Sequence, residues 1–182
     1  GPEDTYQSYG HGWANLSNTP YRLFKQYDHE GGIRTPMIAH WPAGIKEKGR
    51  LVKSVNHLVD IMPTVLDVTG LEAPDTINNK PTVTRDGESL AAAFKGQSYA
   101  GHETLFFHHN KGRALRHAGW KLVSQSVDGK KSKTKPQWEL YNLNDDPLEM
   151  NNLAAANPKQ LAKLTKLWAA ESERLEGQAA QR

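Results

Sequence analysis

The sequence predicts an α/β segment that passes into a small α+β subdomain, in which an antiparallel sheet of about four strands is packed by a C-terminal helix. Three observations carry this. Pro36-Met37-Ile38-Ala39-His40-Trp41-Pro42 is a short apolar run between prolines and reads as a buried strand, with a helix following at Leu58 to Gly70. After Gly96 the pattern changes to short strands at Glu103 to His109, Ala114 to His117, Trp120 to Ser126 and Trp138 to Leu143, separated by Gly, Lys and Ser turns. Asn157-Pro158 then supplies an N-cap and a Pro at the first helical position. The change of pattern near Gln97 to Gly101 divides the chain into domains at 1–98 and 99–182.

Each element has a local reason. Residues 1–20 are polar and irregular, because Gly10, Gly12, Asn15, Asn18 and Pro20 work against a long regular element. Tyr21 to Tyr27 suits a short helical turn, stopped by Gly31-Gly32. In the Leu58 to Gly70 helix, Asp60 is the expected N-cap, Pro63 lies in the first turn and Gly70 is the stop. Ile61, Val65 and Val68 give that helix one apolar face. Glu72 to Asp86 is a Pro/Asn/Thr-rich loop, and Gly87 to Phe94 a short helix. The last helix runs from Pro158 to about Gly177. Its stripe of Leu161, Leu164, Trp168 and Leu175 can cover one face of the sheet.

Composition narrows the function. The chain has 182 residues, 37% hydrophobic and 24% charged, with a net charge of +3. No apolar run approaches the roughly 18 residues of a membrane span. There is no cysteine, which excludes a disulfide framework, a cysteine-zinc site and a cysteine nucleophile within these residues. Residue 1 is Gly and no charged-then-apolar leader follows, so the N-terminus reads as processed, truncated or incomplete. From His108 to Lys135, eight cations (Lys111, Arg113, Arg116, Lys121, Lys130, Lys131, Lys133 and Lys135) face Asp128 alone. Such a patch can attract polyanions, although lysines also keep a hairpin edge soluble.

The densest chemistry lies in Lys25-Gln26-Tyr27-Asp28-His29-Glu30-Gly31-Gly32-Ile33-Arg34-Thr35-Pro36. A cation, a His, carboxylates and two glycines precede the expected strand, and ligand sites of α/β folds form on loops at strand ends. The structural alternative is that Glu30 pairs with Arg34 and the glycines turn the chain.

These residues also carry a resemblance. Gly12-Trp13-Ala14-Asn15, Ser17-Asn18-Thr19-Pro20-Tyr21-Arg22 and Lys25 through Pro36 resemble the sulfatases of the alkaline-phosphatase superfamily. So do Val59-Asp60-Ile61-Met62-Pro63-Thr64-Val65-Leu66-Asp67 and Asp86-Gly87-Glu88-Ser89-Leu90. Gly112-Arg113-Ala114-Leu115-Arg116, Trp120-Lys121-Leu122-Val123 and Trp138-Glu139-Leu140-Tyr141-Asn142-Leu143 follow in family order, and Asp146-Pro147-Leu148-Glu149 with Asn152-Leu153 matches the final turn. The blocks span nearly the whole chain and correspond to roughly the last third of a typical sulfatase. The α/β segment is thus expected to be the C-terminal part of an alkaline-phosphatase-like catalytic domain.

The resemblance implies hydrolysis of sulfate esters by a whole enzyme that uses a formylglycine nucleophile and a bound calcium or magnesium. Here no Cys exists and no Ser is followed two residues later by Pro, so the nucleophile motif and the metal ligands are expected upstream. One catalytic position carries over: Lys25, five residues before Glu30-Gly31-Gly32, stands where the family sets a lysine against the sulfate. His109 and Arg113 are candidates for the substrate-binding rim, as are His11 and Asn15. Glu30, Gly31 and Gly32 are expected as scaffold fixing the Lys25 loop, and Asp145-Asp146-Pro147 as a turn. Adjacent His108 and His109 would point to opposite faces of a strand, which makes a poor metal pair. The expected partners are a sulfate-ester substrate, in particular a sulfated carbohydrate, and the N-terminal sulfatase domain; no nucleic acid and no membrane are expected. An exported location, periplasmic, secreted or lysosomal, follows from the resemblance alone. Two alternatives stand beside this: a phosphate or phosphonate ester hydrolase of the same superfamily, and a non-catalytic polyanion-binding module using the 111–135 stretch.

Overall fold

The computed structural model describes residues 2–5, 8, 10–83, 85–109, 112–125 and 137–179. Its elements are α1 (Gly10–Ser17), α2 (Glu30–Ile33), a single 3-10 turn (Leu58–Asp60), α3 (Ile61–Thr69), β1 (Thr76–Ile77), β2 (Lys80–Pro81), α4 (Ala91–Phe94), β3 (Thr104–His109), β4 (Gly112–His117), β5 (Trp120–Ser124), β6 (Glu139–Asn142) and α5 (Pro158–Ala179). By contacts these fall into two units. One combines the residues up to Pro36 with Phe106–Gly177, and the other is built on Met37–Leu105. Within this chain, residues up to 36 therefore group with the sheet and not with 37–98: Asp28, His29 and Glu30 are buried, and Glu30 is bonded to Arg116 of β4 and Lys121 of β5.

The sheet of the first unit has the order β3-β4-β5-β6. Ala118 and Gly119 join β4 to β5 with φ of 47 and 81°, and His117 lies opposite Trp120. Positive φ at both turn residues matches the right-handed twist of the two strands. Side chains alternate across the sheet. Leu115, Leu122 and Leu140 share one face, where Leu164 of α5 packs on them with Trp168, Leu161 and Phe106 at the margin. Each fully buried leucine contributes about 1.5–3 kcal/mol of apolar burial. The other face carries Ala114 and Val123 beside Tyr141 and Leu143. It also carries Arg116 and Lys121, which lie opposite each other on β4 and β5, with Tyr141 of β6 opposite Lys121. An apolar strand face interrupted by charge is the floor of the site described below.

In the second unit, Gly70 ends α3 with φ of 67°, as the sequence predicts. Asp60 differs: its side chain does not cap α3 but closes a reciprocal capping box with His57 around the preceding turn. The loop after Leu71 contains a two-stranded ribbon, in which Asn78 and Asn79 turn with φ of 52 and 62°.

Several expectations fail locally. Pro36 to Trp41 forms no strand, and Ile38 is 93% exposed. Both prolines lack a ladder donor, and no described strand pairs with the run. Tyr21 to Tyr27 makes bends rather than a helical turn, with Leu23 and Gln26 at φ of 67 and 83°. Helix forms instead at Gly10–Ser17 and at Glu30–Ile33, despite the glycines in each. The helix expected from Gly87 is a single turn, Ala91–Phe94. Ser126 and the basic residues Lys111, Lys130, Lys131, Lys133 and Lys135 lie outside the described residues.

Candidate functional site

Lys25 is exposed, on the loop between α1 and α2. The backbone around it is gripped. A Cβ on Gly31 would strike the carbonyl oxygens of Arg22 and Leu23, and one on Gly32 those of Tyr27 and Phe24. The glycines of α2 are thus needed for close approach to the loop rather than for a turn. A second hold comes from Gln125, the residue after β5. Its Nε2 donates to the carbonyl of Gln26 at 3.0 Å. Its Oε1 accepts the Asp28 N–H, also at 3.0 Å. The Tyr27 N–H closes the loop on the Phe24 carbonyl at 3.2 Å. Among the described residues no hydrogen bond or ion pair engages the Lys25 ammonium.

Beneath the loop lies a buried ionic network. Glu30 is 1% exposed and meets Lys121 Nζ at 3.0 Å and Arg116 Nη1 at 3.2 Å. The expected Glu30–Arg34 pair is also present, at 3.7 Å. Lys121, fully buried, lies 3.4 Å from Glu149 as well. Glu149 Oε2 accepts the Glu30 N–H at 2.8 Å, and the Glu149 carbonyl accepts from Arg22 at 2.8 Å. Charges out of water need partners of this kind. The expected scaffold role of Glu30, Gly31 and Gly32 takes this form: β4 and β5 hold Glu30, Glu30 sets α2, and α2 seats the loop.

A second branch starts at His29, which is buried. Its Nε2 is 3.3 Å from Glu139 Oε2, and the Tyr141 hydroxyl donates to the same oxygen. The His29 hydrogen bond, with that of Tyr141, outweighs burial and holds the Glu139 carboxyl below the ordinary glutamate value. Burial and the adjacent carboxylate push the Tyr141 hydroxyl above the ordinary tyrosine value. Asp28 is buried with Oδ2 unpartnered among the described residues, and burial raises its carboxyl despite the nearby Lys121, His109 and His108.

His11 and Asn15 lie one turn apart on α1, both exposed, with Asn15 Nδ2 donating to the His11 carbonyl at 3.1 Å. The His11 ring meets Phe24 edge-on at 5.6 Å, next to Lys25 in sequence. His109 ends β3 and Arg113 lies in β4. The Arg113 guanidinium sits 5.5 Å over the Trp168 ring. Asp146 accepts the N–H groups of Met150 and Asn151 at 3.0 and 2.7 Å, which fits the expected turn. The residues that sequence reasoning missed are Gln125, Lys121, Glu139 and Glu149. A lysine inside the apolar strand Trp120-Lys121-Leu122-Val123 was the available signal for one of them.

The second unit has its own buried carboxylate. Asp60 accepts from His102 Nε2 at 2.7 Å, from the Glu88 N–H at 2.9 Å and from the His57 N–H at 2.7 Å. Burial opposes the charge, but these donors together hold Asp60 below the ordinary aspartate value. Tyr99, desolvated near Asp60 and Glu88, is pushed up to about 12. Every oxygen of Asp60 is committed to the fold, so the arrangement is a staple. Among the described residues no group of three or more His, Cys, Asp or Glu is placed to hold a metal ion. The described residues therefore do not fit the divalent ion that the resemblance implies. Among them, too, no helix is long and apolar enough to cross a membrane.

Comparison with known proteins gives consistent matches. Residues 20–178 match the family model described as N-sulphoglucosamine sulphohydrolase, C-terminal. An uncharacterized sulfatase of Schizosaccharomyces pombe is 32% identical over 168 residues, covering 88% of this chain and 28% of that protein. The N-acetylglucosamine-6-O-sulfatase of Bacteroides thetaiotaomicron is 30% identical over 149 residues, covering 79% of this chain and 24% of that protein. Among solved structures, Ps i-CgsB in complex with k-i-k-neocarrahexaose superposes with a TM-score of 0.66 at 23% identity, over 87% of this chain and 34% of the other. The PsFucS1 sulfatase from Pseudoalteromonas sp. gives 0.62 at 23% identity, over 87% and 33%. At these identities the structural likeness is one of fold. The chain spans under a third of the length of these curated relatives.

Proposed function

This chain belongs to the sulfatases, as a C-terminal portion of one, and from that premise we propose that the whole protein hydrolyses sulfate esters with the Lys25 ammonium set against the sulfate. The fold is that of the C-terminal part of alkaline-phosphatase-like sulfatases, ending in the four-stranded sheet and α5. In the whole enzyme, residues 1–98 complete the catalytic α/β domain and 99–182 form its C-terminal subdomain. The formylglycine nucleophile and the calcium or magnesium ion belong to residues outside this chain, so the isolated chain releases no sulfate. An exported location is part of the same proposal.

One observation supports Lys25 most: the backbone around it is held through Gly31, Gly32 and Gln125, while Lys25 is exposed and its ammonium makes no hydrogen bond or ion pair among the described residues. A sulfate ester carries negative charge that redistributes toward the leaving oxygen as the S–O bond breaks. A preorganised ammonium about 3 Å away stabilises that charge by a few kcal/mol without reorganising during the reaction. Lysine suits the task, since its three donors make point contacts that need no planar fork. His11 and Asn15 on α1, with His109 and Arg113 of β3 and β4, form the substrate-binding rim in this reading. A sulfated carbohydrate is the proposed substrate class, in keeping with the relative named N-acetylglucosamine-6-O-sulfatase.

The test is ester selectivity of the full-length protein. It should release sulfate from nitrophenyl sulfate and from sulfated glucosamine faster than phosphate from nitrophenyl phosphate. Faster phosphate release would overturn the reading in favour of a phosphate or phosphonate ester hydrolase. No hydrolysis, with heparin retention that vanishes in moderate salt, would make the protein a polyanion-binding module.

A further inference from the structure

We infer that Gln125 is a positioning residue for Lys25, resting on the reading of Lys25 as the sulfate-contacting cation. Among the described residues no hydrogen bond or ion pair holds the Lys25 side chain. Where its ammonium sits depends on the backbone of residues 23–28. That backbone is not in a regular element, and two of its residues, Leu23 and Gln26, have φ of 67 and 83°. Such a loop keeps one conformation only when its surroundings over-determine it.

Gln125 contributes to this as the one described side chain from outside the loop that hydrogen-bonds its backbone. Its amide works as a peptide group would, with Nε2 donating to the Gln26 carbonyl and Oε1 accepting the Asp28 N–H, both at 3.0 Å. The two bonds bracket Tyr27 and begin one residue after Lys25. They join positions 97 and 99 residues apart in sequence, so the loop is tied directly to the end of β5. Only a side chain with a donor and an acceptor in a fixed fork at this length makes both bonds. Asn is one methylene short, and Glu lacks the donor. The Glu30 and Lys121 network sets α2, whereas Gln125 sets the loop itself, on the C-terminal side of Lys25. A shift of the order of 1 Å in a positioned group can cost about a hundredfold in rate.

The experiment is a double-mutant cycle in the full-length protein, with nitrophenyl sulfate as probe and rates expressed per folded molecule. Gln125→Met keeps the volume and removes both bonds. It should lower kcat at least about tenfold in the Lys25 protein and change it less than about twofold in the Lys25→Ala background. The sulfate-dependent rise in Tm should likewise weaken in Gln125→Met and be lost in Lys25→Ala. Equal factors in both backgrounds, or no effect with Lys25 present, would overturn the positioning role while leaving Lys25 in place. A near-normal rate for Lys25→Ala would overturn the sulfate reading itself. If Gln125→Met fails to fold, Gln125→Glu, which keeps the Asp28 bond and loses the Gln26 bond, should fold and still show the coupled loss; an uncoupled loss overturns the proposal.

Discussion

Asp28 and Asp60 are both buried carboxyls, and their surroundings push them in opposite directions. At Asp28 burial dominates and raises the pKa. The folded state then favours the protonated form. Its contribution is full below the unfolded value and is lost as pH rises through the folded value. Asp28→Asn should therefore raise the Tm of the full-length protein near pH 7 and give no gain near pH 3; a lower Tm near pH 7 would show that the carboxylate is compensated. At Asp60 the donors from His57, Glu88 and His102 prevail over burial and lower the pKa. Its contribution is full above the unfolded value and is lost as pH falls through the folded one. Asp60→Asn should flatten the acid limb of the Tm profile, and an unchanged acid limb would place that loss elsewhere. Neither environment was legible from residue identity. Asp60 read as a helix N-cap, and its true donors include His102, 42 positions away.

At the scale of elements, legibility followed sequence range. The strands from Thr104 to Ser124 and helix α5 emerged near their expected limits, because alternation, tight turns and a Pro at the helix start are local signals. Pro36 to Trp41 did not, since a buried strand needs a partner strand, and none pairs with it among the described residues. The Glu30 network was visible only as the Arg34 pair four residues away. Its stronger links, to Lys121 and Glu149, span 91 and 119 residues. These links carry a prediction. Lys121→Met leaves Glu30 and Glu149 buried without their shared cation and should cost about 3–5 kcal/mol by denaturant unfolding. A cost near zero would mean that Arg116 and Arg34 suffice. Gly32→Ala acts on the same assembly by steric means, since its Cβ meets the Tyr27 and Phe24 carbonyls. It should lower both Tm and sulfatase rate.

At the scale of the molecule, the chain carries more apolar surface than its own elements cover. In the unit built on Met37–Leu105, Ile38 is 93% exposed and Leu51 and Leu58 are each 81% exposed. Surface of this kind drives association. The isolated chain should self-associate, with light scattering that grows with concentration; a monodisperse monomer would show that these residues are tolerated in water. The same surface fits a portion that spans under a third of its relatives' length. The central claim concerns the cation on the clamped loop, and kcat for sulfate release by full-length Lys25→Ala tests it most directly. A fall of about a hundredfold or more at unchanged Tm is the predicted result, in line with the loss of a preorganised electrostatic contact. A rate within a few-fold of the unmodified protein would contradict it.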